Sequence, residues 1–158
     1  MKNFSVIRTI EIILAALTAI FLLIFFILTS NYAKKQKAAE AELLTAIDKV
    51  VDICSTYSQN ITIPENLKDD LDIYTKNINE SSSTTQKAYF ANIMLTYTQN
   101  RVNMNDPQNL YELAVELGNS YELDPVEAAA YKNYTEKLTA VSNEFKTAES
   151  KYNSISNE

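Results

Sequence analysis

Histidine is missing from this chain altogether, and with it the commonest general base and the commonest metal ligand. Glycine occurs once. Phosphate-cradling loops need several glycines, and β-rich or α/β domains spend them on turns and bulges, so both are disfavoured. A single cysteine, Cys54, cannot form a disulfide within the chain. Basic clusters are scarce. Setting aside Lys2, Arg8 and Glu11, 12 cations face 19 carboxylates, and the only basic run is Lys34, Lys35 and Lys37. Phosphate backbones demand concentrated positive charge, so nucleic acid is not an expected partner.

What remains favours helices. "IILAALTAIFLLIFFIL", Ile12 to Leu28, carries no charge, and Thr29 and Ser30 extend the uncharged run. A helix spanning a bilayer needs about 20 mainly apolar residues. A cleavable signal peptide has a shorter apolar region of ~7–15 residues and a small-x-small exit. Here the exit is "TSNYAKKQ". The expectation is an uncleaved, single-pass cell-membrane anchor, with Glu11 as an interfacial carboxylate. Lys2 and Arg8 on one side against Lys34, Lys35 and Lys37 on the other lean toward a cytoplasmic soluble part.

Beyond the anchor, "KKQKAAEAE" reads as a charged stalk. Leu43, Ile47, Val50, Cys54 and Tyr57 then recur at helical spacing. "TIPE" suggests a second start, with Thr62 as N-cap and Glu65 as its capping-box partner, followed by Leu67, Leu71, Tyr74 and Ile78. After the polar break "NESSST", a third helix is expected over 85–102, burying Tyr89 or Phe90, Ile93, Met94 and Tyr97. Asp106 and Pro107 offer an N-cap and first position for a short apolar face of Leu110, Leu113, Ala114 and Leu117. The lone Gly118 stands where a left-handed C-cap is needed. That segment could also extend a neighbouring helix. Asp124, Pro125 and Glu127 repeat the start device. The last helix carries Tyr134, Leu138, Val141, Phe145, Ala148, Tyr152 and Ile155 at alternating spacings of four and three, a heptad-like seam. The fold expected is all-α: an anchor over 1–31, a stalk over 32–42, and an antiparallel four-helix bundle over 43–158.

The closing helix resembles that of the LemA family of bacterial membrane-anchored proteins. Tyr131, an "EKL" step ending at Leu138, then Asn143, Phe145, Ala148, Tyr152 and Asn153 fall at the family's spacing. "AIDKVVDICSTY" matches a second family stretch through Ile47, Val50, Val51, Asp52, Cys54 and Tyr57. The family's proline falls on Asp48, its Trp-containing segment is missing, and its T-E-N-R-I step is "VSNEF" here. The resemblance implies a four-helix bundle behind an N-terminal membrane helix, and brings no catalytic motif.

Sharper readings have blander counterparts. "LGNSYELDPVEAAAYKNY" mimics one tetratricopeptide unit through Leu117, Gly118, Tyr121, Ala130 and Tyr134, but such units need about three copies. Asp69, Asp70 and Asp72 lack the glycine-bearing Ca²⁺ loop pattern and read as a solvated face. Most of the ten tyrosines lie at helical spacings and read as core residues with hydroxyls reaching the surface, rather than as the lining of a ligand pocket. Cys54 reads as a small buried hydrophobe. No catalytic, cofactor-binding or metal-ligating residue is assigned. The function expected is a non-catalytic scaffold or adaptor at the bacterial envelope, held by the membrane and facing an unidentified protein partner. The alternative is a ligand-sensing bundle of the chemoreceptor kind, which would normally need a second transmembrane helix.

Overall fold

The computed structural model describes residues 2–60 and 65–156, with side chains over 8–56 and 68–156. Five helices follow one another: α1 (Lys2–Asn60), α2 (Glu65–Glu80), α3 (Thr84–Met104), α4 (Pro107–Glu116) and α5 (Pro125–Ser156). No strand occurs among the described residues. The chain divides into two compact units, Met1–Ala38 and Ala39–Glu158.

The first unit is a helical run whose side chains are exposed on every face. Leu14, Phe21 and Phe26 are 65%, 68% and 69% exposed. Among the described residues, one helix is long and apolar enough to cross a membrane, and its most apolar stretch buries nothing. Two threonine hydroxyls within the apolar run bond to the helix's own backbone. Thr18 donates to the Leu14 carbonyl at 2.9 Å and Thr29 to the Phe25 carbonyl at 3.0 Å. That turns a hydroxyl back onto the helix backbone and leaves the outer surface apolar.

The second unit has a continuous core. The α1 stripe forms as its spacing requires: Leu43, Val50 and Cys54 are fully buried and Ile47 nearly so. Tyr57, the last expected member, and the Thr62 cap with its Glu65 side-chain partner lie outside the described side chains, as does Leu67. On α2, Leu71 and Ile78 are buried and Tyr74 packs against the core. On α5, Tyr131, Tyr134, Leu138, Phe145 and Ala148 are buried. Val141 and Tyr152 pack against them from the edge. Lys146, about 100° round the helix from Phe145, is exposed.

Long-range pairs fix the directions of the helices. Glu40 accepts from the Thr84 hydroxyl at 2.6 Å, and Thr98 lies in hydrogen-bond contact with Cys54. Equal steps along α1 and α3 therefore meet equal steps, and the two run parallel. Lys151 pairs with Glu42, and Lys49 with Glu144. The Tyr134 hydroxyl donates to the Ile53 carbonyl at 2.9 Å. As α1 advances its α5 partners recede, so these two are antiparallel. α2 is joined to α3 through Ser81–Ser83 and returns against it, with Tyr97 meeting both Asp70 and Tyr74. The ion pairs are half-exposed, where such pairs stabilise little. Their contribution here is register.

The expected inward face of α3 needs correction. Helix α3 begins at Thr84, capped by Ser83, whose hydroxyl accepts from the Gln86 N–H at 3.2 Å, and it runs on to Met104. Its inward face is Thr84, Ala88, Ala91, Met94, Leu95, Thr98 and Val102. Of the large residues expected inside, only Met94 is fully buried; Phe90, Ile93 and Tyr97 are half-buried and Tyr89 is 62% exposed. A helix flanked by three others is favoured with small residues inward, because alanine lets backbones approach where an aromatic ring would hold them apart. Helix α4 is a separate ten-residue helix that starts at Pro107 behind the Asp106 cap, and its apolar face, Leu110 and Leu113 with Leu117 just beyond, is exposed.

Two pairs of substitutions test this packing in urea unfolding of residues 39–158 expressed alone. Phe145→Ala should cost about 3–5 kcal/mol, because a buried ring loses its transfer energy and leaves a cavity. Lys146→Ala should stay within about 0.5 kcal/mol. Ala91→Leu should cost about 1–3 kcal/mol by overpacking, whereas Tyr89→Ala should be close to neutral.

Candidate functional site

The most unusual surface lies between α3 and α5. Asp106 caps α4 by accepting from the Gln108 N–H at 2.9 Å, and Pro107 takes the first position, where no N–H is required. Pro107 is the only buried residue of α4. At the other end Gly118 adopts φ +69°. Its N–H donates to the Val115 carbonyl at 3.1 Å, and the Asn119 N–H donates to the Ala114 carbonyl at 2.9 Å. This is the paired C-terminal closure that a left-handed glycine permits. Asp124 then caps α5, accepting from the Val126 N–H at 2.8 Å. A helix of ten residues is marginal alone. These terminal bonds hold it while most of its apolar side chains stay outside the core.

Leu113, Val115, Leu117 and Val126 are 52%, 56%, 67% and 78% exposed, and Leu110, Tyr111 and Tyr121 are exposed as well. Among them stand Glu112, Glu116, Glu122 and Glu127, with no lysine or arginine anywhere from Val102 to Tyr131. Beside this segment is a cleft of about 620 Å³ lined by Asp106 and Gln108 from the start of α4 and by Ala128, Lys132, Thr135 and Glu136 from α5. The spacing of the leucines announces an apolar face without saying what that face meets. Two start devices bracket the helix that bears it, and ten residues are few to cross the unit. The one-sign charge pattern was also legible.

The other groups with chemical potential are quiet. Cys54 is fully buried, and burial pushes its thiol up to about 11, against a smaller lowering by the Thr98 hydroxyl. Thr98 donates to the Met94 carbonyl at 2.8 Å. A thiol held protonated is a poor nucleophile. Tyr97 donates to Asp70, packs edge-on against Tyr74 with centroids 5.8 Å apart, and carries the Arg101 guanidinium 5.3 Å from its ring centre. Desolvation first, then its bond to Asp70, pushes its phenol upward, while Arg101 opposes. Such a phenol stays protonated at neutral pH and fastens α2 to α3. Asp69 and Asp72 are exposed and do not join Asp70, and among the described residues no three His, Cys, Asp or Glu side chains gather as metal ligands. The tyrosines divide: Tyr131 and Tyr134 are buried, Tyr74, Tyr97 and Tyr152 half-buried, and Tyr32, Tyr89, Tyr111 and Tyr121 exposed. The last four depart from the expectation of core positions. The residues that mimicked a repeat unit are accounted for by the α4 closure and the α5 cap.

No family model, curated protein or solved structure matches this chain.

The buried thiol gives a pH signature. Below about pH 9 the thiol is protonated in folded and unfolded chains alike. Between 9.0 and about 11 it ionises only when unfolded, so the stability it contributes falls as pH rises through that window and is gone above it. Relative to Cys54→Ala, the wild type should lose about 2 kcal/mol between pH 8 and pH 10.5 in paired urea melts. A pH-independent difference between the two would show that the thiol is not desolvated.

Proposed function

We propose that this chain is a membrane-anchored, non-catalytic adaptor. In this reading residues 1–31 anchor it, 32–42 form a stalk, and 43–158 form an antiparallel four-helix bundle of the LemA kind made by α1, α2, α3 and α5. One observation carries the reading: a fully exposed apolar run occupies the same helix, α1, that supplies a buried stripe to a packed helical unit. The exposed run asks for lipid, and the packed unit needs nothing further for its core. The parallel and antiparallel pairings of α1, α3 and α5, with α2 returning on α3, support the up-down-up-down arrangement. The quiet state of Cys54 and Tyr97 supports a role in binding rather than in covalent chemistry. The ion pairs and the α5 seam support the LemA resemblance only as features a helical bundle of that kind would have.

A second reading, a ligand-sensing bundle of the chemoreceptor kind, is favoured by the cleft beside α4, which has the volume of a small-molecule site. A thermal-shift screen of the full chain against small amphipathic ligands separates the two. Sensing requires a saturable rise in Tm that Lys132→Ala or Thr135→Ala reduces.

The anchor is tested in cells. The chain should stay in the membrane fraction through alkaline carbonate extraction, and mass spectrometry should recover peptides covering residues 12–28. The pair Phe21→Lys and Ile24→Lys should release or destabilise it, since charge at a helix centre costs about 2.5–3.5 kcal/mol per residue on insertion scales. A mature N-terminus beyond Ser30 would defeat the anchor.

A further inference from the structure

We propose that the α4 segment docks a basic amphipathic helix of a partner protein. The proposal rests on the adaptor reading and names the face that reading needs. Leu110, Leu113 and Leu117 recur at three- and four-residue steps, so they share one face of α4. All three are exposed, and Tyr121 and Val126 beyond the helix are exposed with them. Large apolar side chains turned to solvent along one helix face mark an interaction surface. The helix that bears them is closed at both ends by its own hydrogen bonds, so the surface is preformed.

Charge identifies the occupant. Six carboxylates fall between Asp106 and Glu127, and the nearest cations along the chain are Arg101 and Lys132. Asp106 and Asp124 are committed to caps, and Glu112 accepts from the Gln108 amide at 2.8 Å. Among the described residues none of the six is in an ion pair. A second copy would bring the same carboxylates against these, and an anionic lipid surface would be repelled in the same way. A helix with leucine-like residues on one face and lysine or arginine along its margins satisfies both the apolar group and its acidic surround. It would lie along α4 as a helix in a shallow groove.

The test uses the full chain in phosphatidylcholine nanodiscs, which are zwitterionic and compete little for a cationic probe. The probe is a fluorescent peptide of about 18 leucines and lysines patterned to gather leucine on one helix face, and its counterpart has glutamate for every lysine. Anisotropy should show saturable binding of the basic peptide, weakened by added salt, and none of the acidic one. Leu113→Lys with Leu117→Lys should weaken binding at least tenfold, and Glu116→Gln, at the margin of the leucine face, should weaken it several-fold. Asn143→Lys with Thr147→Lys, on the exposed side of α5, adds the same charge elsewhere and should leave binding unchanged. All these positions are exposed, and circular dichroism verifies that each variant keeps its helix content. The proposal is overturned if the wild type does not bind the basic peptide, if the Leu113 and Leu117 variant binds it equally, or if the acidic peptide binds as well. It is also overturned if the chain dimerises through this face, read as a dimer in sedimentation that the leucine variant abolishes. Failure here leaves the adaptor reading to stand or fall on membrane retention and on crosslinking of the wild type to any neighbouring protein.

Discussion

Over its first half, helix α3 lies against its neighbours with side chains that carry little volume, and the packing of the second unit around it follows from that. Ala88 and Ala91 are buried on its inward face, with Thr98 a further two turns on. Because those side chains are short, that stretch of α3 can take larger residues from its neighbours, Leu43, Ile47 and Val50 from α1 and Leu138 and Phe145 from α5. Met94, Leu95 and Val102 of α3 add volume further on. The cost is that α3 buries polar hydroxyls at Thr84 and Thr98. Each is satisfied, one by Glu40 of α1 and one by its own backbone at Met94. Among the described residues no buried side-chain nitrogen or oxygen lacks a partner. An unpartnered hydroxyl there would cost about 1–3 kcal/mol.

The same contact explains the behaviour of Cys54. The Cys54 thiol, fully buried, meets Thr98 between two parallel helices. It is held in its protonated form by the absence of water rather than by a charged neighbour. Buried cysteines of this kind act as small hydrophobes, and the chemistry available to a surface thiol is withdrawn from them.

The sequence was most legible where a local rule acts alone. The starts at Asp106 and Asp124, the glycine closure at Gly118 and the seam of α5 each follow from hydrogen-bond geometry within one turn or from periodicity within one helix. It was least legible where tertiary competition decides. On α3 the aromatic residues at 89 and 90 advertised a buried face, but the helix turns its alanines inward because it has neighbours on several sides. On α4 the leucines had the right spacing and nothing to pack on, because ten residues do not reach across the unit. Pairings such as Lys49 with Glu144 and Glu42 with Lys151 join positions far apart in the chain, and no local pattern announces them. The exposed α4 surface was therefore visible as composition, an apolar and one-signed stretch, before it was visible as a surface.

The α4 excursion contributes a single residue, Pro107, to the buried set. The rest of it answers to almost no packing demand, since its shape is fixed by the devices at its two ends and the core closes without it. Residues 108 to 117 can thus vary almost independently of the fold that displays them. Selection, or a designer, could exchange this stretch for another of equal length and keep the same scaffold. The display of this stretch is thus separable from the packing of the core, and two chains with the same core could carry different surfaces here.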